Sequence, residues 1–224
     1  MKLLIIEGNV SQTLTTTRYL RNEGFFCDTA RTYKDALHKI EAFQYDCIVL
    51  DPCLPDGQGF NLIKYLRQDE KRAGVIIVSE QASLQDKITG FDAGADDFMT
   101  KPLNLQELTA RIKALLRRKY NEGKNSMLVK SLKIDLNSHA VSCKGKGVSL
   151  SKYEYNLLFT LAVHRNHIVS LHILSEQLFD GPSEKAPSAN AVYAHVKNLK
   201  RKLRELGCPG LIRTVYSRGY TFAI

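Results

Sequence analysis

The stretch Asp46-Cys-Ile-Val-Leu-Asp-Pro-Cys-Leu-Pro-Asp-Gly-Gln-Gly-Phe-Asn-Leu-Ile-Lys-Tyr-Leu-Arg67 sets the reading of the first half of the chain. The run Cys47–Leu50 is apolar without alternation, as in a strand buried on both faces, and ends on a carboxylate, Asp51. A helix-like segment near 58–69 follows. The same unit recurs on either side. Apolar runs at Leu3–Ile6, Phe25–Cys27, Val75–Val78 and Asp97–Met99 alternate with amphipathic segments near 11–23, 33–43, 84–93 and 104–118. Thr32 with Asp35, Ser83 with Asp86 and Asn104 with Glu107 supply helix-start signals. Five strand–helix alternations predict a doubly wound α/β domain.

In such a sheet, ligands bind beyond the carboxyl ends of the strands. Glu7 follows the first strand, Asp51 the third, Ser79 the fourth and Lys101 the fifth. Polar groups from four strands are therefore expected on one rim.

Charge separates the halves. Residues 1–118 hold 16 Lys+Arg against 16 Asp+Glu, whereas residues 119–224 hold 16 against 7, so the whole net charge of +9 lies in the second part. A basic excess favours a polyanion, because each neutralised phosphate releases condensed counterions. The polar stretch KYNEGKNSM, 119–127, is read as a linker between domains at 1–118 and 128–224. Beyond it, LVKSLKIDLNSHAVSCKGKGVSL alternates weakly between turn signals and predicts a small antiparallel sheet. Ser151 to Glu154 forms a capping box before a helix, and a second helix is expected from about Leu171 to Phe179. After the loop 180–189 comes NAVYAHVKNLKRKLREL, 190–206, and then a terminal hairpin, IRTVYSRGYTFAI. In the third helix, Val192, Val196, Leu199 and Leu203 form an apolar stripe, with Lys197, Lys200, Arg201 and Arg204 lying away from it. An apolar back and a basic front suit a DNA major groove.

The five cysteines form no CxxC pair and read as reduced thiols. No apolar run reaches membrane-spanning length, and a cytoplasmic protein without membrane partners is expected. The six histidines show no metal-ligand spacing, and His195 reads as a packed structural residue. A Gly-rich cofactor loop and a Ser-His-Asp arrangement are both missing, which argues against an enzyme acting on external substrates.

The Asp46–Arg67 segment, VIIVSEQAS (75–83) and GADDFMTKPL (94–103) resemble the receiver domains of response regulators. LSKYEYNLL, NAVYAHVKNLKRKL and TVYSRGYTF resemble the winged-helix domains of the OmpR/PhoB subfamily. The resemblance implies a flavodoxin-like receiver followed by an α+β winged helix-turn-helix domain. It implies that Asp51 accepts a phosphoryl group from a sensor histidine kinase, with Lys101 and Ser79 contacting phosphoryl oxygens and Phe98 as the switch aromatic. Mg²⁺ would be held by Glu7, Asp51 and the Cys53 carbonyl. Receivers of this kind carry two adjacent acidic residues after the first strand, and here the pair is Glu7-Gly8. A weakened metal site is expected, with Asn9 as a substitute ligand. The alternative is an orphan regulator that acts without phosphorylation.

By position, Lys87, Asp96, Asp97, Glu107, Arg111 and Arg118 would form the homodimer face of the fourth helix, fifth strand and fifth helix. Asn190, Tyr193, Ala194 and Lys197 are the candidate base readers, Lys200 and Arg201 the phosphate contacts, and Arg218 a minor-groove contact in the wing. Double-stranded promoter DNA, with direct-repeat sites, and RNA polymerase are the implied partners.

Overall fold

The computed structural model describes residues 1–68, 73–80, 83–176 and 189–223, in two compact units that divide between Lys119 and Tyr120.

The first unit runs β1 (Lys2–Ile6), α1 (Val10–Asn22), β2 (Phe26–Ala30), α2 (Tyr33–Ala42), β3 (Cys47–Leu50), a hairpin of β4 (Cys53–Leu54) and β5 (Gly57–Gln58), α3 (Phe60–Gln68), β6 (Gly74–Ser79), α4 (Leu84–Asp92), β7 (Asp97–Thr100) and α5 (Leu105–Asn121). The main sheet has the order β2-β1-β3-β6-β7, with every pairing parallel. Burial on both faces explains the unbroken apolar runs. One core layer joins Leu4, Ile6, Ile48, Leu50, Val75 and Ile77 to Ile40, Leu62, Ile63 and Leu66 of the covering helices. Each such side chain contributes roughly 1.5–3 kcal/mol on burial.

The helix starts follow their caps. The Thr32 hydroxyl accepts from the Asp35 N–H, Ser83 and Asp86 form a reciprocal capping box, and Asn104 Oδ1 accepts from the N–H groups of Gln106 and Glu107. The second strand lies further along than its apolar run suggests. It takes in Asp28 and Thr29, because the Asp28 carboxylate is buried against the Tyr45 hydroxyl (2.9 Å) and the Lys39 ammonium (3.6 Å). Gly90 lets α4 sit close to the sheet, since a Cβ there would lie 2.6 Å from Ile77 Cδ1 and 3.5 Å from the Phe98 ring.

The stretch 119–127 is largely structured. α5 continues to Asn121, whose side-chain amide donates to the carbonyls of Lys124 and Ser126, and β8 begins at Ser126.

The second unit contains β8 (Ser126–Val129), β9 (Leu132–Asp135), β10 (Val141–Cys143) and β11 (Lys146–Val148), an antiparallel sheet ordered β11-β10-β9-β8. There follow α6 (Lys152–Val163), β12 (Ile168–Val169), α7 (Leu171–Glu176), α8 (Ala189–Glu205), β13 (Ile212–Val215) and β14 (Gly219–Phe222). The terminal hairpin is joined by β12 into a sheet ordered β12-β14-β13. Gly219 is required where they meet. Its φ is +134°, and a Cβ would lie 2.1 Å from the Val169 carbonyl oxygen. α6 is buried from Glu154 through Ala162 and starts at the Ser151–Glu154 capping box. The loop 180–188 and the end of the expected second helix lie outside the described residues.

One expectation is overturned. Cys143 of β10 and Cys208, just beyond α8, form a disulfide, leaving Cys27, Cys47 and Cys53 as free thiols. The partners are 65 residues apart, so no local spacing announces the pair.

Candidate functional site

Because β1, β3, β6 and β7 run parallel, their carboxyl ends share one rim, and Glu7, Asp51, Ser79 and Lys101 stand there. The Lys101 ammonium joins two of these groups, donating to Glu7 Oε2 at 2.7 Å and to Asp51 Oδ2 at 2.6 Å. Partial burial pulls the Lys101 pKa down, but its hydrogen bonds to Asp51 and Glu7 outweigh this and hold it above the usual lysine value. The other Asp51 oxygen accepts from the Cys53 N–H at 2.8 Å, a position set by the β4–β5 hairpin. Asp51 is thus fixed from both sides. A cavity of about 250 Å³, lined in part by Glu7, Gln12, Thr16, Asp51, Lys101 and Leu105, opens beside it.

The oxygen groups on the rim are of the kind that a hard cation takes, with the Glu7 and Asp51 carboxylates foremost. They are few, and no group of three or more His, Cys, Asp or Glu side chains placed to hold a metal occurs among the described residues. Asn9 has local partners beside the rim. Its Oδ1 accepts from the Gln12 N–H as the cap of α1, and its own N–H donates to Glu7 Oε1. Phe98 is half-buried against the core beside α4, and its N–H donates to Asp97 Oδ1.

Of the six charged residues placed on a dimer face, four are already paired within the chain. Arg111 bridges Asp97 (2.9 Å) and Glu107 (2.7 Å), and Asp96 pairs with Arg67 (2.9 Å). Arg118 is exposed and Lys87 half-exposed. Leu84, Ile88 and Phe91 add an exposed apolar stripe along α4, at 75%, 42% and 49% exposure.

In the second unit, Val192, Val196, Leu199 and Leu203 bury one face of α8. Asn190, Tyr193, Ala194, Lys197 and Arg201 are exposed on the same helix, and Arg218 is exposed in the turn of the β13–β14 wing. Lys200 points elsewhere. Its ammonium donates to Thr214 Oγ1 at 2.8 Å, lies 5.2 Å from the centre of the Tyr220 ring, and has its pKa pulled down by burial. It thereby ties the helix to the wing through one of its three N–H donors. Arg201 pairs with Glu205 one turn on, an exposed pair that a competing anion can displace. His195 stacks on Tyr153 of α6. The Lys200–Thr214 contact is not legible in the sequence, because helical periodicity gives the face of a side chain but not the strand that packs beside it.

A parallel-sheet unit with an acidic, lysine-bridged rim, followed by a winged helix with an exposed basic helix, defines a receiver-linked DNA-binding regulator. Residues 3–113 match the response regulator receiver domain, and residues 145–222 match the C-terminal domain of transcriptional regulatory proteins. The chain is 35% identical to the transcriptional regulatory protein BasR of Escherichia coli over 98% of its length and 96% of that protein's. It is 33% identical to the two-component response regulator PhoP of Pseudomonas aeruginosa over 99% and 98%. The receiver domain of the Francisella response regulator 1452 covers 53% of the chain, and 98% of that structure is matched, with 32% identity and a TM-score of 0.51. This chain belongs to the OmpR/PhoB-type two-component response regulators and is a DNA-binding regulator of transcription. No helix among the described residues is long and apolar enough to cross a membrane.

Proposed function

We propose that Asp51 accepts a phosphoryl group from a sensor histidine kinase in the cytoplasm and that the modified receiver forms a homodimer that delivers two winged helices to direct-repeat promoter sites. The carrying observation is the Lys101 bridge between Asp51 and Glu7. An Asp51 carboxylate oxygen forms the new O–P bond as the N–P bond to the kinase histidine breaks, and the imidazole leaves. The Lys101 ammonium, now bound to two carboxylates, then meets phosphoryl oxygens. Ser79, at the end of β6, donates its hydroxyl to another. Mg²⁺ held weakly by Glu7, Asp51 and the Cys53 carbonyl would neutralise charge on the transferring group.

Asn190, Tyr193, Ala194 and Lys197 then read bases, Lys200 and Arg201 contact phosphates, and Arg218 enters the minor groove. The apolar stripe of α4, flanked by Lys87, Asp96, Asp97, Glu107, Arg111 and Arg118, supports the dimer face. RNA polymerase is the downstream partner.

Gly8 favours a second reading, in which the same regulator works without phosphate. Intact-protein mass after incubation with acetyl phosphate and Mg²⁺ separates the two. An adduct in the wild type that is missing in Asp51→Ala establishes the acceptor. No adduct, in a protein that still binds DNA as a dimer, selects the second reading.

A further inference from the structure

The disulfide between Cys143 and Cys208 stands apart from the phosphoryl chemistry. Both cysteines belong to the DNA-binding unit, with Cα atoms 6.7 Å apart. Cys143 lies in β10 of the small sheet and is fully buried. Cys208 lies in the connection between the recognition helix α8 and wing strand β13, at 5% exposure. The Cys208 N–H closes on the Leu203 carbonyl at the helix end, and Ile212 begins the wing only four residues later. The bond thus pins the joint between the two DNA-contacting elements to a separate sheet.

Two further features bear on its reactivity. Cys208 lines a surface cleft of about 180 Å³ with Lys200, Arg204, Leu211 and Ile212 among its neighbours, so this end of the bond lies beside a surface opening in a basic neighbourhood. The Ser131 hydroxyl lies 3.3 Å from Cys143 Sγ and 3.4 Å from Cys208 Sγ. A disulfide sulfur carries no hydrogen, so the hydroxyl is the donor to either sulfur and can stabilise whichever becomes the thiolate. Nearby cations and hydrogen-bond donors favour the thiolate, the reactive form of cysteine. In a reducing compartment, disulfides are transient and regulatory more often than structural.

We infer that Cys143 and Cys208 form a reversible thiol–disulfide site, reached through the Lys200–Arg204 cleft, whose oxidised form holds the recognition helix and wing in the geometry that binds DNA. A low-molecular-weight thiolate attacks Cys208 Sγ. The Cys143–Cys208 bond breaks, and Cys143 leaves as a thiolate and takes a proton. A second thiol attacks the mixed disulfide, releasing Cys208 as a thiol and the reductant as its own disulfide, for a total of two electrons and two protons. In the other direction hydrogen peroxide is the oxidant. The Cys208 thiolate attacks one peroxide oxygen to give a sulfenic acid and water, and Cys143 displaces a second water as the bond closes.

The inference rests on the DNA-binding reading, and the two are separable by experiment. The full-length protein is equilibrated across a glutathione ladder, denatured, alkylated and weighed. Three alkylated cysteines mark the disulfide form and five the dithiol. Each form is then tested on a labelled duplex enriched from a random pool by the oxidised protein. The expected result is a reversible passage from three to five, with affinity falling about tenfold on reduction as preorganisation is lost. Cys208→Ser and Cys143→Ser should bind like the reduced wild type and ignore the redox poise. Five alkylated cysteines at every poise, three at every poise, or equal affinity in the two forms would overturn it. A pool from which neither form retains any duplex sinks the DNA-binding reading instead, and the alkylation ladder still decides whether the thiol site exists.

Discussion

A Cβ built on Gly8 would lie 3.5 Å from Pro55 Cδ and 4.0 Å from the Arg31 carbonyl oxygen, both ordinary contact distances. The backbone there accepts a side chain, so the missing carboxylate leaves room and not a misfolded rim. Gly8→Asp is therefore expected to add an oxygen ligand beside Glu7 and Asp51 without disturbing the sheet. Mg²⁺ affinity should rise by on the order of tenfold, a typical response to completing a metal's surroundings. A time course of phosphoryl adduct formation at limiting Mg²⁺ checks this, and an unchanged rate would show that the second carboxylate does not limit the chemistry. The rim itself was legible from sequence because strand ends follow directly from where apolar runs stop. Asn9 shows where that legibility ends. Its position beside the rim suggests a ligand, its oxygen also caps α1, and residue type alone does not tell one role from the other.

At the scale of elements, Glu154 joins two helices. It closes the capping box of α6 and also accepts from the Lys202 ammonium of α8 at 2.7 Å. Burial pushes its pKa up, but the Lys202 hydrogen bond and the Ser151 N–H prevail, so the carboxyl stays below its usual value. A depressed pKa stabilises the fold above the unfolded value of about 4.3, and that contribution is lost as the pH falls through the folded value. Glu154→Gln should therefore lower the urea midpoint of the DNA-binding unit at neutral pH, and the gap from wild type should close under acid. A gap that stays constant with pH would mean that the pair contributes no charge-dependent stability. Sequence gave away the capping box, whose members lie three residues apart, but not Lys202, which is 48 residues from Glu154. The third strand of the wing sheet was hidden for a similar reason, since β12 is only two residues long.

On the scale of the whole molecule, the two units meet different demands. Residues 1–118 carry no net charge and are built around a parallel sheet, whereas residues 119–224 carry the entire basic excess on a smaller core. A disulfide closing a loop of 65 residues offsets some of that disadvantage. By loop-closure entropy it contributes about 4 kcal/mol, mostly by restricting the unfolded chain. Reduction should accordingly lower the unfolding free energy of the DNA-binding unit by about that amount while leaving the receiver transition in place. Urea unfolding with and without a dithiol measures both, and equal loss in the two units would contradict it. The cross-link was the largest feature the sequence did not disclose, because pairing depends on a tertiary approach between β10 and the end of α8.

Gly90 acts as a spacer of zero thickness between α4 and the sheet. Because the Ile77 Cδ1 methyl stands 2.6 Å from where a Cβ would go, Gly90→Ala acts as a wedge unless that side chain turns aside. It is expected to lift the helix that carries Leu84, Ile88 and Phe91 and to shift the self-association of the protein in sedimentation, so that one methyl group works as a lever on the exposed stripe.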